Sequence, residues 1–342
     1  MAPVAIAVLE LTAMLAISTI EDLPIRDPDA RYVGSPIALI GLIAGIFLVL
    51  DLIPRTWRAL RDNGGSVPAV AWSVFRERWL TSRGAVVLLC LLSFYVTYLS
   101  YRNLKSYIPF VTGANHDLTL LNFERDVFFG TDPAQLLHSL LGTGVAAQVL
   151  SFFYLAFLTF VPVSLGFALI WANRLGPGLW YVTSLAITWL LGALSYYLIP
   201  ALGPVYARPQ LFSDLPNTGV SELQRKLLEH RTEVLADPAV TNAVQSIAAF
   251  ASLHIAVLMV AALIAHLVGA PRWLRVSLWT FLGLTAIATV YFGWHYVVDD
   301  IAGAAIAFFA VWAGARLTGN DWRPLERFRA RRRGSAEAMS SP

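Results

Sequence analysis

Long apolar runs constrain the fold of this chain more than any other feature of its sequence. Runs of about 20 apolar residues recur along the 342 residues, and a helix of that length crosses the ~30 Å hydrocarbon core of a bilayer. Hydrophobic residues make up 57% of the chain and charged residues only 14%, whereas soluble domains carry about 25% charged residues. The sequence therefore predicts an all-α, polytopic membrane protein and excludes an ordinary soluble domain.

Eight apolar runs are candidate membrane spans. They cover residues 3–20, 35–53, 84–101, 145–171, 179–200, 250–269, 274–293 and 297–316. The first run contains Glu10, so it is either a weak span or a helix that lies in the membrane interface.

The arginines are concentrated in a few connections between these runs. Six of them lie within residues 54–83 and six within the C-terminal tail 317–342, with Arg174 and the pair Arg272 and Arg275 in two further connections. If the eight spans alternate in direction, all of these arginines fall on one side, which the positive-inside rule makes cytoplasmic. Because membrane orientation explains this distribution, the net charge of +3 does not predict a nucleic acid partner.

The opposite, extracytoplasmic side receives the two long connections 102–144 and 201–249 and the turn between the last two spans. Within the second connection we expect a helix over residues 221–236, which Ser221 caps and an acidic first turn favours. We also expect residues 245–251 to lead helically into the sixth span.

Two histidines and an aspartate lie at the outer edge of this apolar chain. His254 is near the start of the sixth run, and His295 and Asp299 lie where the last two runs meet. The chain between the two histidines is long enough to cross the membrane and return once, so both come to the same membrane face. Ionisable groups at the edge of hydrocarbon are costly and usually mark function.

Two imidazoles and a carboxylate are the parts of a histidine-nucleophile phosphoryl-transfer site. On a helix, His295 and Asp299 share a face, so Asp299 can accept a hydrogen bond from one ring nitrogen and leave the other as a nucleophilic lone pair. Asp300 is about 100° further around a helix, and we give it no role. His254 then protonates the leaving oxygen and later activates a hydroxyl or a water.

These residues also match a family. The matching stretches are Ser252-Leu253-His254-x-Ala256 and Gly293-Trp294-His295-Tyr296-x-x-Asp299-x-x-Ala302-Gly303. They resemble the type 2 phosphatidic acid phosphatase superfamily, and the Ser-Leu-His and His-Tyr-x-x-Asp forms are most similar to its inositol phosphorylceramide synthase branch. The resemblance implies a six-helix core, an outward-facing site, a phosphohistidine intermediate and no required metal or other cofactor. It assigns His295 as nucleophile, Asp299 as its orienting acid and His254 as proton donor.

The likeness covers about residues 84–316, with weaker similarity around His116-Asp117-Leu118 and the Pro-rich segment 197–204. We therefore expect three parts. Residues 1–83 hold two N-terminal spans and an Arg-rich cytoplasmic loop, residues 84–316 form the six-helix catalytic core, and residues 317–342 form a basic cytoplasmic tail.

The chain departs from the commoner phosphatases of that superfamily at two phosphate-binding cations. Those enzymes carry Lys-x6-Arg-Pro after the third core helix; here Arg208-Pro209 is present, but Ala201 stands at the lysine position. They also carry Ser-Arg seven and six residues before the nucleophile, where this chain has Ala288 and Thr289.

Arg208 is the candidate that neutralises the phosphate, because its planar guanidinium suits phosphate oxygens. Tyr206 is a candidate to assist it. The alternative for Arg208 is an arginine that snorkels to the headgroup layer just past a span, and the alternative for Tyr206 is an ordinary interfacial tyrosine.

The leading hypothesis is a membrane lipid phosphotransferase that moves a phospho-headgroup, such as inositol phosphate, between lipids at the extracytoplasmic face of the cell (inner) membrane. Its partners are a lipid phosphoester and a lipid or water acceptor. The alternative is a lipid phosphate or polyprenyl diphosphate phosphatase with water as acceptor. A third hypothesis, from a different class, is a lipid transporter or scaffold in which the histidines are structural.

Overall fold

The computed structural model describes residues 1–27, 36–172 and 174–320, and within these ranges it contains helices and no strand. The helices, in chain order, are α1 (Ala2–Ile20), α2 (Pro36–Asn63), α3 (Val67–Trp79), α4 (Ser82–Val111), α5 (Asp117–Val127), α6 (Pro133–Leu141), α7 (Val145–Leu165), α8 (Leu175–Leu198), α9 (Pro204–Ala207), α10 (Gly219–Ala236), α11 (Leu253–Leu267), α12 (Arg272–Tyr291) and α13 (Val297–Thr318).

Seven of these helices are long and apolar enough to cross a membrane: α1, α2, α4, α7, α8, α12 and α13. A short π-helical segment, Gly166–Trp171, extends α7 to 27 residues. The remaining apolar run, the sixth (250–269), corresponds to α11, which is apolar but has only 15 residues. The prediction of a polytopic helical membrane protein is confirmed. The basic tail lies almost wholly outside the described residues.

Helix α8 is the centre of the bundle. It packs against α4, α11 and α13, and α11 in turn packs between α12 and α13. In its apolar stretch 78% of the residues are buried, whereas the corresponding figure for α2 is 6%. A helix that is apolar on all sides belongs in a bundle interior when neighbours surround it, so α8 is the internal helix and α2 presents most of its side chains to lipid.

Helix α1 packs along α4. Glu10 is fully buried in this contact, so the carboxyl group that interrupts the first apolar run faces protein rather than hydrocarbon. Acidic side chains within spans are tolerated in that orientation. The helix is therefore part of the bundle, as a weak span would be, and not a detached interfacial segment.

At one end of the bundle the long connections form a cap over the helix termini. In it, α6 packs on α12 and α10 packs on α7. Side chains of the cap bind the turn after α12: Gln224 donates to the carbonyl of Phe292 (2.8 Å), and the His138 ring lies 2.8 Å from the carbonyl of Tyr291. The same end carries the first residues of α11 and α13, where the candidate site residues lie.

The predicted helix in the second connection exists, but it begins two residues before Ser221. Thr218 is its cap: its hydroxyl accepts from the Ser221 amide (3.3 Å), and the Ser221 hydroxyl accepts from the Thr218 amide (2.7 Å). This reciprocal pair satisfies two amide groups that a helix start leaves open.

The predicted helical lead into α11 over residues 245–251 is wrong, because this segment is not helical. Its amide groups donate to tertiary partners instead of to preceding carbonyls. The Gln245 amide donates to the Ser106 hydroxyl (3.2 Å), and the Ala249 amide donates to the Ala201 carbonyl (2.8 Å). A hydrophobic pattern does not reveal such partners, since they come from distant parts of the chain.

Candidate active site

The two histidines meet at the capped end of the bundle. His254 is the second residue of α11, and His295 lies in the turn between α12 and α13. The Nδ1 atom of His254 is 2.9 Å from the Nε2 atom of His295, within hydrogen-bond distance. The chain between them crosses the bundle and returns, which is the path that the sequence predicts.

The other nitrogen of His295 fixes how its ring is protonated. Its Nδ1 atom is 2.9 Å from the Ala249 carbonyl, which can only accept, so Nδ1 carries the proton. The Nε2 atom is then a lone pair directed at His254, and Nδ1–H of His254 is the donor between the two rings. The non-helical course of residues 245–251 is what leaves the Ala249 carbonyl free for this contact.

Asp299 lies beside His295 but accepts a different hydrogen bond. Its Oδ2 atom is 3.5 Å from Nδ1 of His295 and 2.9 Å from the amide of Tyr296, from which it accepts. Helix α13 begins at Val297, so the two residues do not share a helical face. Asp299 caps the helix start and places a carboxylate next to the ring, while the Ala249 carbonyl is the acceptor we expected Asp299 to provide.

Burial keeps the imidazole of His295 neutral. The side chain is 4% exposed, and loss of solvation lowers its pKa to about 4. The nearby Asp300 carboxylate and the Ala249 carbonyl oppose this shift, and the ammonium group of Lys105 adds to it. At neutral pH the ring is therefore neutral, and Nε2 carries a lone pair that accepts from His254.

Aromatic side chains surround His254. The ring centroids of Phe157 and Tyr154 lie 4.6 and 5.0 Å from the His254 ring, and Tyr154 stacks on Trp294 at 5.3 Å. Tyr206 approaches the outer side of Trp294, with ring centroids 6.1 Å apart. These rings form one wall of the site beside His254.

Close contact between α11 and α13 holds the two histidines at this distance. A Cβ atom on Gly303 would lie 2.2 Å from the carbonyl oxygen of Ser252, so only glycine allows this approach. The Ser252 amide also donates to the Asp299 carbonyl at 2.9 Å. The first turns of both helices are therefore fixed to each other directly behind the site.

Three carboxyl groups to which the sequence analysis gave no role lie around the site: Asp117 and Glu124, which are buried, and Asp300, which is partly buried. Asp117 accepts from the amide groups of Leu202 (2.8 Å) and Gly203 (2.9 Å) and from the Tyr296 hydroxyl (3.1 Å). Glu124 accepts from the amide of Val298 at 3.2 Å, and burial raises its pKa to about 7. These bonds connect α5 to the segment before α9 and to the start of α13, directly after His295.

Asp300 is the third of these carboxyl groups. Its Oδ2 atom accepts from the hydroxyl of Thr289 at 3.0 Å. Thr289 stands where the commoner phosphatases are expected to carry an arginine, so this position holds a neutral partner for a carboxylate instead of a cation for the phosphate.

The structure does not join Arg208 to the histidines. Arg208 follows α9 and is partly buried, and across the described residues its side chain makes no hydrogen bond or ion pair. Tyr206 donates to the carbonyl of Gln224 at 3.2 Å and touches Trp294. Tyr206 thus lies on the rim of the site.

Lys105, on α4, is a further cation to which the sequence analysis gave no role. Its Nζ atom is 4.8 Å from the centroid of the Tyr196 ring, and its positive charge helps to lower the pKa of His295. The sequence feature that could have drawn attention to Lys105 is that lysine is rare in this chain, which contains only Lys105 and Lys226.

Comparison with known proteins identifies the family. A family model described as the PAP2 superfamily matches residues 118–313, more than half of the chain. The matched region contains His254, His295, Asp299 and Arg208, and it begins after Lys105. No curated protein and no solved structure matches the chain. With its helical membrane fold and its paired histidines, the chain belongs to the PAP2 superfamily of membrane phosphatases and phosphotransferases.

Proposed function

We propose that the protein is a lipid phosphotransferase that uses His295 as its nucleophile and passes the phosphoryl group to a lipid hydroxyl through a phosphohistidine. Membership of the superfamily supports a phosphatase-type enzyme with a lipid phosphoester substrate. The observation that carries the residue roles is the 2.9 Å contact between Nδ1 of His254 and Nε2 of His295. The proton that His295 holds on Nδ1 leaves Nε2 as the attacking atom.

In the first step the phosphate of the substrate replaces Nδ1–H of His254 as the partner of Nε2 of His295, so the hydrogen bond between the two rings breaks. Nε2 of His295 attacks phosphorus, a P–N bond forms, and the P–O bond to the leaving group breaks. His254, protonated, donates its proton to the leaving lipid alcohol. In the second step neutral His254 takes the proton of the acceptor hydroxyl, whose oxygen attacks phosphorus. The P–N bond then breaks and His295 recovers its lone pair.

Asp299 supports both steps as a positioning residue. It caps α13 through the Tyr296 amide (2.9 Å) and lies 3.5 Å from the ring of His295. Its carboxylate stabilises the positive charge that develops on the ring as the P–N bond forms. Arg208 and Tyr206 lie further out, where they contact the headgroup of the substrate.

Two observations favour transfer to a lipid, as in the inositol phosphorylceramide synthase-like branch. Ala201 and Thr289 stand where the commoner phosphatases carry cations. The aromatic wall of Phe157, Tyr154 and Trp294 offers an apolar surface to a lipid acceptor, and an acceptor lipid seated on it would shield the phosphohistidine from hydrolysis. Inositol phosphate is the headgroup that this branch suggests.

The second candidate function is hydrolysis of a lipid phosphate or a polyprenyl diphosphate. His254 remains partly exposed, so a water molecule can reach the residue that activates the acceptor. The same two steps then release free phosphate or a free phospho-headgroup.

We also propose that the site faces the extracytoplasmic side of the cell (inner) membrane. The arginines of residues 54–83 lie at the end of the bundle where α4 begins, and the histidines lie near the end where α4 stops. The positive-inside rule assigns the first end to the cytoplasm. We propose the same three parts as the sequence predicts: an N-terminal part (1–83), a catalytic core (84–316) and a tail (317–342).

Reconstitution tests the function. Purified protein in liposomes of mixed phospholipids and hydroxyl-bearing acceptor lipids is followed by mass spectrometry, with His295→Ala as the blank. New phosphodiester lipid together with the matching diacylglycerol establishes a transferase and names the headgroup. Free phosphate or free phospho-headgroup establishes a hydrolase. A His295→Ala variant with full activity would instead favour the hypothesis of a transporter or scaffold with structural histidines.

A further inference from the structure

The histidine pair described above lacks an obvious cation for the phosphate. Phosphoryl transfer relies on positive groups that stabilise the charge on the transferred oxygens. Ala201 and Thr289 are neutral, and Arg208 is not joined to the histidines. A cation from another element is therefore needed if the site is to bind an anionic substrate.

Lys105 lies on α4, about two turns before the helix ends at Val111. Its Nζ atom is 4.8 Å from the ring centroid of Tyr196 and 5.9 Å from that of Tyr101. The backbone carbonyl of Lys105 accepts from the side-chain amide of Gln245 at 3.2 Å. The lysine is thus fixed against the segment 245–251.

That segment also connects Lys105 to the nucleophile. Its Ala249 carbonyl accepts the proton of His295 (2.9 Å), and its Ala251 amide donates to the hydroxyl of Ser195, the neighbour of Tyr196, at 2.9 Å. Lys105 and His295 are therefore both hydrogen-bonded to this short segment, Lys105 to the Gln245 side chain and His295 to the Ala249 carbonyl.

Arg102 lies one turn before Lys105, on the same side of α4. Its Nε atom is buried and has no hydrogen-bond partner. Over the described ranges, no carboxylate lies within ion-pair distance of Arg102 or Lys105. Two like charges three residues apart on a helix repel each other, and a poorly solvated charge without a partner is strongly destabilising. A bound anion would relieve both costs.

The electrostatics of His295 agree with this placement. The charged and titratable groups that face its ring are His254 from α11, Asp299 and Asp300 from α13, and Lys105 from α4. The positive charge of Lys105 helps to lower the pKa of His295, in agreement with the hydrogen bonds that attach both residues to the segment 245–251.

We propose that Lys105, supported by Arg102, binds the phosphate of the lipid substrate and supplies the charge that the usual motif positions lack in this chain. The inference rests on the proposed function, because it names a substrate-binding residue of the same site. The ligand it takes is a phosphate monoester or diester anion, and the ammonium group acts on the phosphoryl oxygens while His295 attacks phosphorus.

Selective labelling tests the site without any need for turnover. Lys105 and Lys226 are the only two lysines, and Lys226 lies on the exposed side of α10, so it serves as an internal control. Purified protein is treated with an amine-reactive acetylating reagent with orthovanadate, or with chloride at the same ionic strength, and both lysines are quantified by mass spectrometry.

We expect vanadate to reduce acetylation of Lys105 several-fold and to leave that of Lys226 unchanged. Equal acetylation of Lys105 in both conditions would overturn the proposal. So would a Lys105 that does not react in either condition, because a lysine that binds phosphate must be reachable from the site.

Turnover provides the second readout. We expect Lys105→Gln to lower kcat/KM by about 100-fold, as loss of a charge-assisted contact to phosphate would, Lys105→Arg to restore part of it, and Lys226→Gln to have no effect. Loss of the positive charge should also raise the pKa of His295. In a plot of kcat/KM against pH, the fall in activity on the acid side should then move to higher pH. A merely structural lysine would reduce the yield of folded protein without moving that fall.

The two proposals fail in different ways. Protection of Lys105 by vanadate in a protein that converts no lipid would retain the anion site and reject the phosphotransferase. An active protein in which Lys105→Gln behaves like Lys226→Gln would retain the enzyme and reject this role of Lys105.

Discussion

At the residue scale, the buried position of His295 determines how the enzyme responds to pH. Because its pKa is lowered to about 4, the nucleophile stays neutral well below the ordinary titration range of histidine, near pH 6.5. We expect kcat/KM to fall with decreasing pH through about 4. The measurement is a pH profile with a phosphodiester lipid, whose own charge is constant in this range. An acid limb at pH 6.5 would mean that the ring is solvated in the free enzyme.

The same shift links pH to stability. The unfolded chain binds a proton at His295 below about pH 6.5, and the folded protein does so only below about 4. The contribution of this group to the free energy of unfolding is therefore full above pH 6.5 and is lost as the pH falls toward 4.

Arg208 and Arg231 offer a matched comparison of two cations in the second long connection. Arg208 is our candidate for headgroup binding. Arg231 lies on α10, where the negative charge of Asp117 stabilises its guanidinium. We expect Arg208→Ala to weaken turnover much more than Arg231→Ala in the liposome assay. Equal effects would remove Arg208 from the site.

At the element scale, the contact between α11 and α13 sets the distance between the histidines. A methyl group at Gly303 would meet the Ser252 carbonyl at 2.2 Å, a backbone atom that cannot turn aside. We expect Gly303→Ala to cost about 1–3 kcal/mol of stability, the usual range for overpacking, and to lower kcat more than 10-fold by separating the rings. Thermal unfolding in detergent and the liposome assay measure the two effects.

Gly283 provides the control for this substitution. It lies in α12, another membrane helix, and nothing lies within 4 Å of the position its Cβ would occupy. Gly283→Ala should therefore leave the melting temperature and the activity near those of the unmodified protein. A Gly303→Ala variant that behaved in the same way would show that the close approach is not needed.

The elements also show where sequence reasoning reaches its limit. Apolar runs predict helices because a bilayer requires every backbone amide to be satisfied within the helix, and each predicted run corresponds to a helix. Residues 245–251, which lead into the sixth run, are predicted to continue its helix. Their amide groups are satisfied by Ser106, Ala201 and Ser195 instead, which lie far away in the sequence and leave no periodic signal.

At the scale of the whole molecule, the sequence indicates which histidines meet but not how their rings are held. The pairing of His254 with His295 follows from the length of the chain between them. The acceptor for His295 is the backbone carbonyl of Ala249, which no residue identity encodes. Lys105 is similar, because its approach to the site depends on how α4 packs against α8.

The last prediction is the orientation of the bundle in the membrane. It can be tested with introduced cysteines, because the chain has a single cysteine, Cys90, that can be replaced. In a Cys90→Ser background, a cysteine is placed at Ser213, exposed at the site end, or at Ser66, exposed between α2 and α3 at the other end. The positive-inside rule assigns the Ser66 end to the cytoplasm. We expect a membrane-impermeant maleimide to label Ser213→Cys in intact cells and Ser66→Cys only after permeabilisation. The reverse pattern would place the histidine pair in the cytoplasm, so its lipid substrate would have to be drawn from the inner leaflet.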